Sequence, residues 1–154
     1  MFHIALFEPE IPANTGSLIR LCANVGFQLH VIHPLGFQLG EKKLRRAGLD
    51  YHEYAQVVEH EDYTAFTTAQ PGQRLFACTT RATRSYADVH YQPGDTLLFG
   101  PESRGLPADL LENLPDNQKI RIPMCTASRS INLANAVSII AFEAWRQNGF
   151  TGGQ

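Results

Sequence analysis

Residues 97–107 read Leu97-Leu98-Phe99-Gly100-Pro101-Glu102-Ser103-Arg104-Gly105-Leu106-Pro107. A short apolar run stops at a glycine, crosses a polar turn bounded by a second glycine, and enters a proline-led stretch. That is a buried strand turning sharply into a helix, with Pro107 in the first helical turn. The run shows no polar alternation, as expected of a strand covered on both faces. The pattern repeats along the chain. Residues 3–7, 29–32, 54–58, 75–78, 96–99 and 119–122 read as strands. Residues 14–24, 62–69, 107–114 and 130–147 read as helices, and 41–47 as a basic helical turn. The alternation predicts an α/β fold, a mainly parallel sheet flanked by helices.

The helix ends carry their own signals. Asn14 or Thr15 can cap the first helix, and Gly26 stops it. Ser128 or Ser130 can cap the last. That final helix is apolar at 131, 133, 134, 136, 137, 139–142, 144 and 145. It should be buried almost all round, against its own sheet and a partner subunit. Asn132, Asn135 and Ser138 form its polar stripe.

Composition narrows the class. The chain has 154 residues, 13 Lys+Arg against 15 Asp+Glu, a net charge of -2 and 44% hydrophobic residues. That fits one globular domain over 1–154, with no whole-chain attraction to nucleic acid. Cys22, Cys78 and Cys125 are odd in number and widely spaced, and the histidines lack ligand spacing. Neither a disulfide framework nor a metal site is expected, and a reducing compartment is. The apolar stretch 130–142 is too short for a membrane span. Residues 1–7 lack the basic flank and cleavage site of a signal peptide. The expected location is the cytoplasm.

Familiar nucleotide motifs fail. No GxGxxG follows the first strand. Gly100 and Gly105 have P-loop spacing, but Leu106-Pro107 stands where lysine and a hydroxyl are required. Ser103 is in no GxSxG elbow. Three loops remain, each at the carboxyl end of a strand, where open α/β sheets bind ligands. The first, residues 8–20, carries Asn14 and Arg20. Asn14 reads as a helix cap or a site residue, and Arg20 as a structural ion pair or an anion clamp. The second is 97–107, with Glu102 and Arg104 flanking the turn. The third, residues 120–133, packs Arg129, Ser130 and Asn132 at a helix start, where anions and polar groups are favoured. One shared pocket would hold a carboxylate, an arginine, hydroxyls and backbone donors, a set suited to group transfer from a bound cosubstrate.

Together these loops resemble the SPOUT superfamily of methyltransferases, in its SpoU-like branch. Asn14 and Arg20 match its first motif, Phe99-Gly100-Pro101-Glu102 with Gly105 its second, and Ile122-Pro123 leading to Ser130-Ile131-Asn132-Leu133 its third. The stretches 8–12, 20–24, 44–51 and 144–146 are similar to the minimal YibK/TrmL group, which methylates the ribose 2′-oxygen of the wobble nucleotide in leucine tRNAs. The resemblance implies a C-terminal trefoil knot over about residues 74–148, a homodimer, and S-adenosylmethionine bound in the knot. It places the cosubstrate on Cys78, Thr79, Thr80, Gly100, Glu102, Gly105, Ile122, Pro123 and Ser130, with no metal. Catalytic roles fall on Arg20, Asn14, Glu102 and Asn132. Lacking a separate RNA-binding domain, the chain would bind its own tRNA.

The RNA surface is expected at Lys42, Lys43, Arg45 and Arg46, joined by Arg129, with Arg81, Arg84 and Arg104 extending it and Tyr51 and Tyr54 available to stack on bases. A solvated helix face is the plainer reading of the cluster. The acidic residues Asp50, Glu53, Glu59, Glu61 and Asp62 would mask its charge in the total. Two other functions stay open: a non-catalytic α/β RNA- or nucleotide-binding module, and a base-methylating SPOUT enzyme.

Overall fold

The computed structural model describes residues 1–40, 46, 48, 50 and 57–154. Six strands, β1 (His3–Phe7), β2 (Gln28–Ile32), β3 (Val57–His60), β4 (Leu75–Cys78), β5 (Thr96–Phe99) and β6 (Lys119–Ile120), form one sheet in the order β3-β2-β1-β5-β4-β6. Every pairing is parallel. Helices α1 (Pro12–Val25), α2 (Tyr63–Ala69), α3 (Ala108–Glu112) and α4 (Leu133–Gln147) cover it.

Alternation along each strand builds two cores. Ile4, Leu6, Leu29, Val31, Leu97 and Phe99 pack with Leu18 and Cys22 of α1 and Val137, Ile140 and Ala144 of α4. Ala5, Phe7, Ile32, Ala77 and Leu98 face the other way, onto Phe66 of α2 and Leu110 and Leu111 of α3. The strand period of two thus buries both faces and leaves the central strands apolar throughout.

The strand order reverses at β1, which has β2 on one side and β5 on the other. At such a switch point the two outgoing loops diverge and open a crevice at the carboxyl ends. Loops 8–11 and 100–107 are those two loops.

Several boundaries differ from the sequence reading. α1 starts at Pro12, ahead of Asn14 and Thr15, and its N-cap Ile11 has no side-chain cap bond. Proline's fixed φ and missing N–H suit that first turn and move the start upstream. α4 starts at Leu133, capped by Asn132 accepting from Asn135 N at 3.3 Å, so neither Ser128 nor Ser130 caps it. β6 ends at Ile120, and Arg121 continues only as an isolated parallel bridge to Ser85. β3 begins at Val57, while the expected residues 54–56 lie outside the described ones.

α4 is not covered all round within one chain. Ile139 and Phe142 are 37% and 46% exposed, because α1 and the sheet take only its other side. Among the described residues no helix is long and apolar enough to cross a membrane.

Candidate active site

A cavity of about 490 Å³ lies at the carboxyl end of the sheet, within the range of small-molecule sites. Its walls come from the segment after β4 (Cys78, Thr79, Thr80, Arg81), the turn after β5 (Gly100 to Leu106) and the approach to α4 (Ile122, Met124, Arg129, Ser130, Asn132). Asn14 and Ile11 close one edge.

The first and second loops meet through a carboxylate. Glu102 Oε2 accepts from Glu10 N at 2.8 Å, and Oε1 accepts from Ile11 N and Asn14 Nδ2, each at 3.1 Å. A helix start has unpaired N–H donors and a positive dipole end. Ile11 cannot cap with its side chain, and Glu102 binds the two N–H groups just ahead of the helix from another loop. The third loop joins through Asn14, whose Oδ1 accepts from Asn132 Nδ2 at 3.0 Å. Asn14 is buried, and its amide therefore bridges Glu102 and Asn132.

Backbone constraints fix the second loop. A Cβ on Gly100 would lie 2.3 Å from Leu106 N and 2.4 Å from Gly105 C, so only glycine fits. Gly105 has φ +68° and donates its N–H to Pro101 O at 3.0 Å. On the first loop Glu8, a non-glycine, has φ +47°.

The third wall is laced to the segment after β4. Thr79 N donates to Ile120 O, Arg121 N to Arg84 O and Tyr86 N to Arg121 O, each at 2.9 Å. At the far end of α4, Gln147 accepts from Tyr91 N at 3.0 Å and donates to Val89 O at 2.9 Å. Residues 79–91 are therefore clasped by both ends of the C-terminal segment.

Of the residues expected to hold a cosubstrate, Cys78, Thr79, Thr80, Gly100, Glu102, Gly105, Ile122 and Ser130 line the cavity. Pro123 is exposed beside it and does not. Burial pushes the Cys78 thiol up to about 12, which leaves it neutral and unsuited to nucleophilic attack. Three of the four expected catalytic residues, Asn14, Glu102 and Asn132, form one hydrogen-bonded chain. Arg20 stands apart on the exposed side of α1, and its guanidinium donates to the Gly48 carbonyl.

The expected basic surface divides. Arg46 is exposed, whereas Lys42, Lys43, Arg45, Tyr51 and Tyr54 lie outside the described residues. Arg129 and Arg81 are exposed and line the cavity. Arg104 is exposed and lines the cavity too, paired with Glu8 and near Glu10, while Arg84 donates to the Asn117 and Asp88 carbonyls. Of these acceptors only the Asp88 carbonyl is near in sequence; Asn117, Glu8 and Glu10 are brought in by the fold. Met124 is a wall residue with no sequence signal of its own. Among the described residues, no group of three His, Cys, Asp or Glu could hold a metal ion.

Known proteins resemble this chain along nearly its whole length. The tRNA (cytidine(34)-2′-O)-methyltransferase of Escherichia coli (strain K12) is 60% identical over 152 residues, 99% of this chain and 97% of that one. A crystal structure of a Bacillus anthracis protein superposes with a TM-score of 0.94 at 36% identity, covering 100% of this chain and 98% of that one. A structure from a study of 2-OH methylation of C/U34 on tRNA gives a TM-score of 0.89 at 46% identity, covering 97% of each chain. The model of the SpoU rRNA Methylase family matches residues 1–142, which include all three loops of the cavity, and the chain belongs to that family.

Proposed function

We propose that the chain transfers a methyl group from S-adenosylmethionine to the ribose 2′-oxygen of the wobble nucleotide of a tRNA, a cytidine or uridine, with leucine isoacceptors as its substrates. The observation that carries this is the Glu102–Asn14–Asn132 chain on the edge of a cavity built from three strand-end loops. Full-length likeness to a relative named for cytidine-34 2′-O-methylation supports the choice of nucleotide.

The cavity suits the cosubstrate. Its volume is adequate, its glycine turn exposes backbone donors and acceptors, and Ile122 and Leu106 offer apolar surface to a purine. Bound there, S-adenosylmethionine supplies an activated methyl on a sulfonium, chemistry that requires no metal. Cys78, Thr79, Thr80, Gly100, Gly105, Ile122 and Ser130 hold it, with Pro123 shaping the rim.

The remaining work is alignment and proton removal. A ribose hydroxyl is a weak nucleophile at neutral pH, and positioning it in line with the methyl supplies much of the acceleration. Glu102 and Asn14 fix the loop carrying the RNA-side residues against the loop carrying the cosubstrate. Asn132 ties both to the start of α4. The planar guanidinium of Arg20 acts as a phosphate clamp that orients the hydroxyl. Arg81, Arg129 and Arg46, with Lys42, Lys43 and Arg45, contact the tRNA backbone.

The molecule works as a cytoplasmic homodimer, with the Ile139–Phe142 side of α4 covered by the second subunit. Its C-terminal segment forms a trefoil knot through residues 79–91. The bonds from Thr79, Arg84, Tyr86, Val89 and Tyr91 to that segment support the threading.

Incubation with labelled S-adenosylmethionine and bulk tRNA, followed by mapping of the label, tests the proposal. Label should appear at nucleotide 34 and make the following phosphodiester resistant to alkali. Alkali-sensitive label would signal base methylation, and absence of label a binding module. Arg20→Ala should abolish transfer and leave cosubstrate binding near wild type.

A further inference from the structure

The carboxylate bridge described above has a mirror image. Glu102, on the second loop, accepts from backbone N–H groups of the first. Glu10, on the first loop, accepts from the second: Ser103 N donates to its Oε2 at 3.1 Å and Ser103 Oγ to its Oε1 at 2.8 Å. Each loop thus offers a carboxylate to the other's backbone, and each carboxylate takes more than one donor. Charge-assisted bonds of this kind are stronger than neutral ones.

Glu10 is itself held from behind. A Cβ on Gly36 would lie 3.0 Å from Glu10 Cα, and Gly36 N donates to Pro9 O at 3.1 Å. The turn after β2 therefore backs the first loop and limits how far Glu10 can retreat. On the far side, Arg104 pairs with Glu8 and sits 3.9 Å from Glu10 Oε1. Ser103 and Arg104 are the tip of the turn that walls the cavity.

We infer that Glu10 is a positioning residue for methyl transfer, holding the Gly100–Gly105 turn in the shape that seats the cosubstrate; this rests on the methyltransferase reading above. Glu10 touches neither reacting group. It acts through Ser103, so its effect falls on cosubstrate affinity ahead of the chemical step. Glutamine at this position keeps one acceptor for Ser103 N, and its amide can donate to Ser103 Oγ. Alanine keeps neither.

The test compares wild type, Glu10→Ala, Glu10→Gln and Ser103→Ala by calorimetric titration with S-adenosylmethionine, steady-state kinetics on tRNA and thermal melting. Glu10→Ala should weaken cosubstrate binding by about tenfold, the loss of roughly one net charge-assisted bond, and lower kcat far less. Glu10→Gln should restore affinity to within about threefold. The double variant Glu10→Ala/Ser103→Ala should be no worse than Glu10→Ala, because both act on one contact. Wild-type affinity in Glu10→Ala, or equal losses in the Ala and Gln variants, would overturn the inference. Should Glu10→Ala fail to fold, Glu10→Asp, whose carboxylate is one methylene further from Ser103, decides: folded with weakened affinity it supports the inference, and with unchanged affinity it removes it. A wild-type protein that binds no S-adenosylmethionine would instead sink the methyltransferase reading.

Discussion

Asn14 spends its side chain on two partners from other loops: its amide donates to Glu102 and its carbonyl accepts from Asn132. Of the two readings the sequence offers for this residue, helix cap and site residue, the structure removes the cap. Asparagine near a helix start reads as a cap, yet Pro12 sets the start and Asn14 falls inside the first turn, freed for tertiary work. Arg104 and Arg84 are surface cations already engaged by acceptors, for a related reason. Their acceptors, Glu8, Asn117 O and Asp88 O, are set by the fold, and charge counting cannot see them. Gly100 is legible in kind, since glycine at a strand end signals close backbone approach, but the clash with Leu106 N emerges only in three dimensions. Gly100→Ala should cost about 1–3 kcal/mol through overpacking. The turn must shift to admit the methyl, so S-adenosylmethionine binding should weaken as well. Denaturant midpoints and calorimetric titration check both parts.

At the scale of elements, strands and helices were readable because glycines and prolines punctuate them. Their termini were not. The start of α4 is the clearest case. Ser128 and Ser130 are good caps by type, but Asn132 takes the position because its Oδ1 receives Asn135 N while its Nδ2 reaches Asn14. Those two jobs separate by mutation. Asn132→Ala should lose the cap, about 1 kcal/mol, together with the bond to Asn14. Asn132→Asp keeps an acceptor at a helix N-terminus and loses the donor. It should melt near wild type and still lose turnover. Full activity in the Asp variant would confine Asn132 to capping. The exposed Ile139 and Phe142 make a similar point about α4: periodicity revealed an apolar helix, while the side left open depended on where α1 and the sheet packed.

At the scale of the whole molecule, the parallel class was legible, but the strand order was not. Nothing local says that β5 inserts between β1 and β4. Nor does spacing reveal the row of histidines, two of them buried, that crosses three strands of the sheet. His3 Nδ1 meets His30 Nε2, and His30 Nδ1 meets His60 Nε2, both at 2.9 Å. A neutral imidazole has one donor and one acceptor, so the row runs in one direction, and a proton added to His30 makes both its nitrogens donors and forces a neighbour to change tautomer. Burial, reinforced by His3 and His60, lowers His30 from 6.5 to about 4. As pH falls below 6.5 the unfolded chain takes up this proton and the folded chain does not. Stability contributed by neutral His30 is therefore complete above pH 6.5, declines toward pH 4, and levels off below it. The full span is about 3 kcal/mol. Urea titrations at pH 7 and pH 4.5 should show the loss. His30→Gln should flatten the difference relative to wild type.

The bonds that assemble the site span great distances in the chain: Glu102 reaches Glu10 across 92 positions, and Asn132 reaches Asn14 across 118. Loop-closure entropy makes such contacts late rewards in folding. A nascent chain emerging from the ribosome displays its first loop long before the partners that shape it exist. Cosubstrate binding should consequently switch on all at once, when the start of the last helix docks. The cell would meet this protein either as a finished catalyst or as one that holds no methyl donor, with no half-competent stage between.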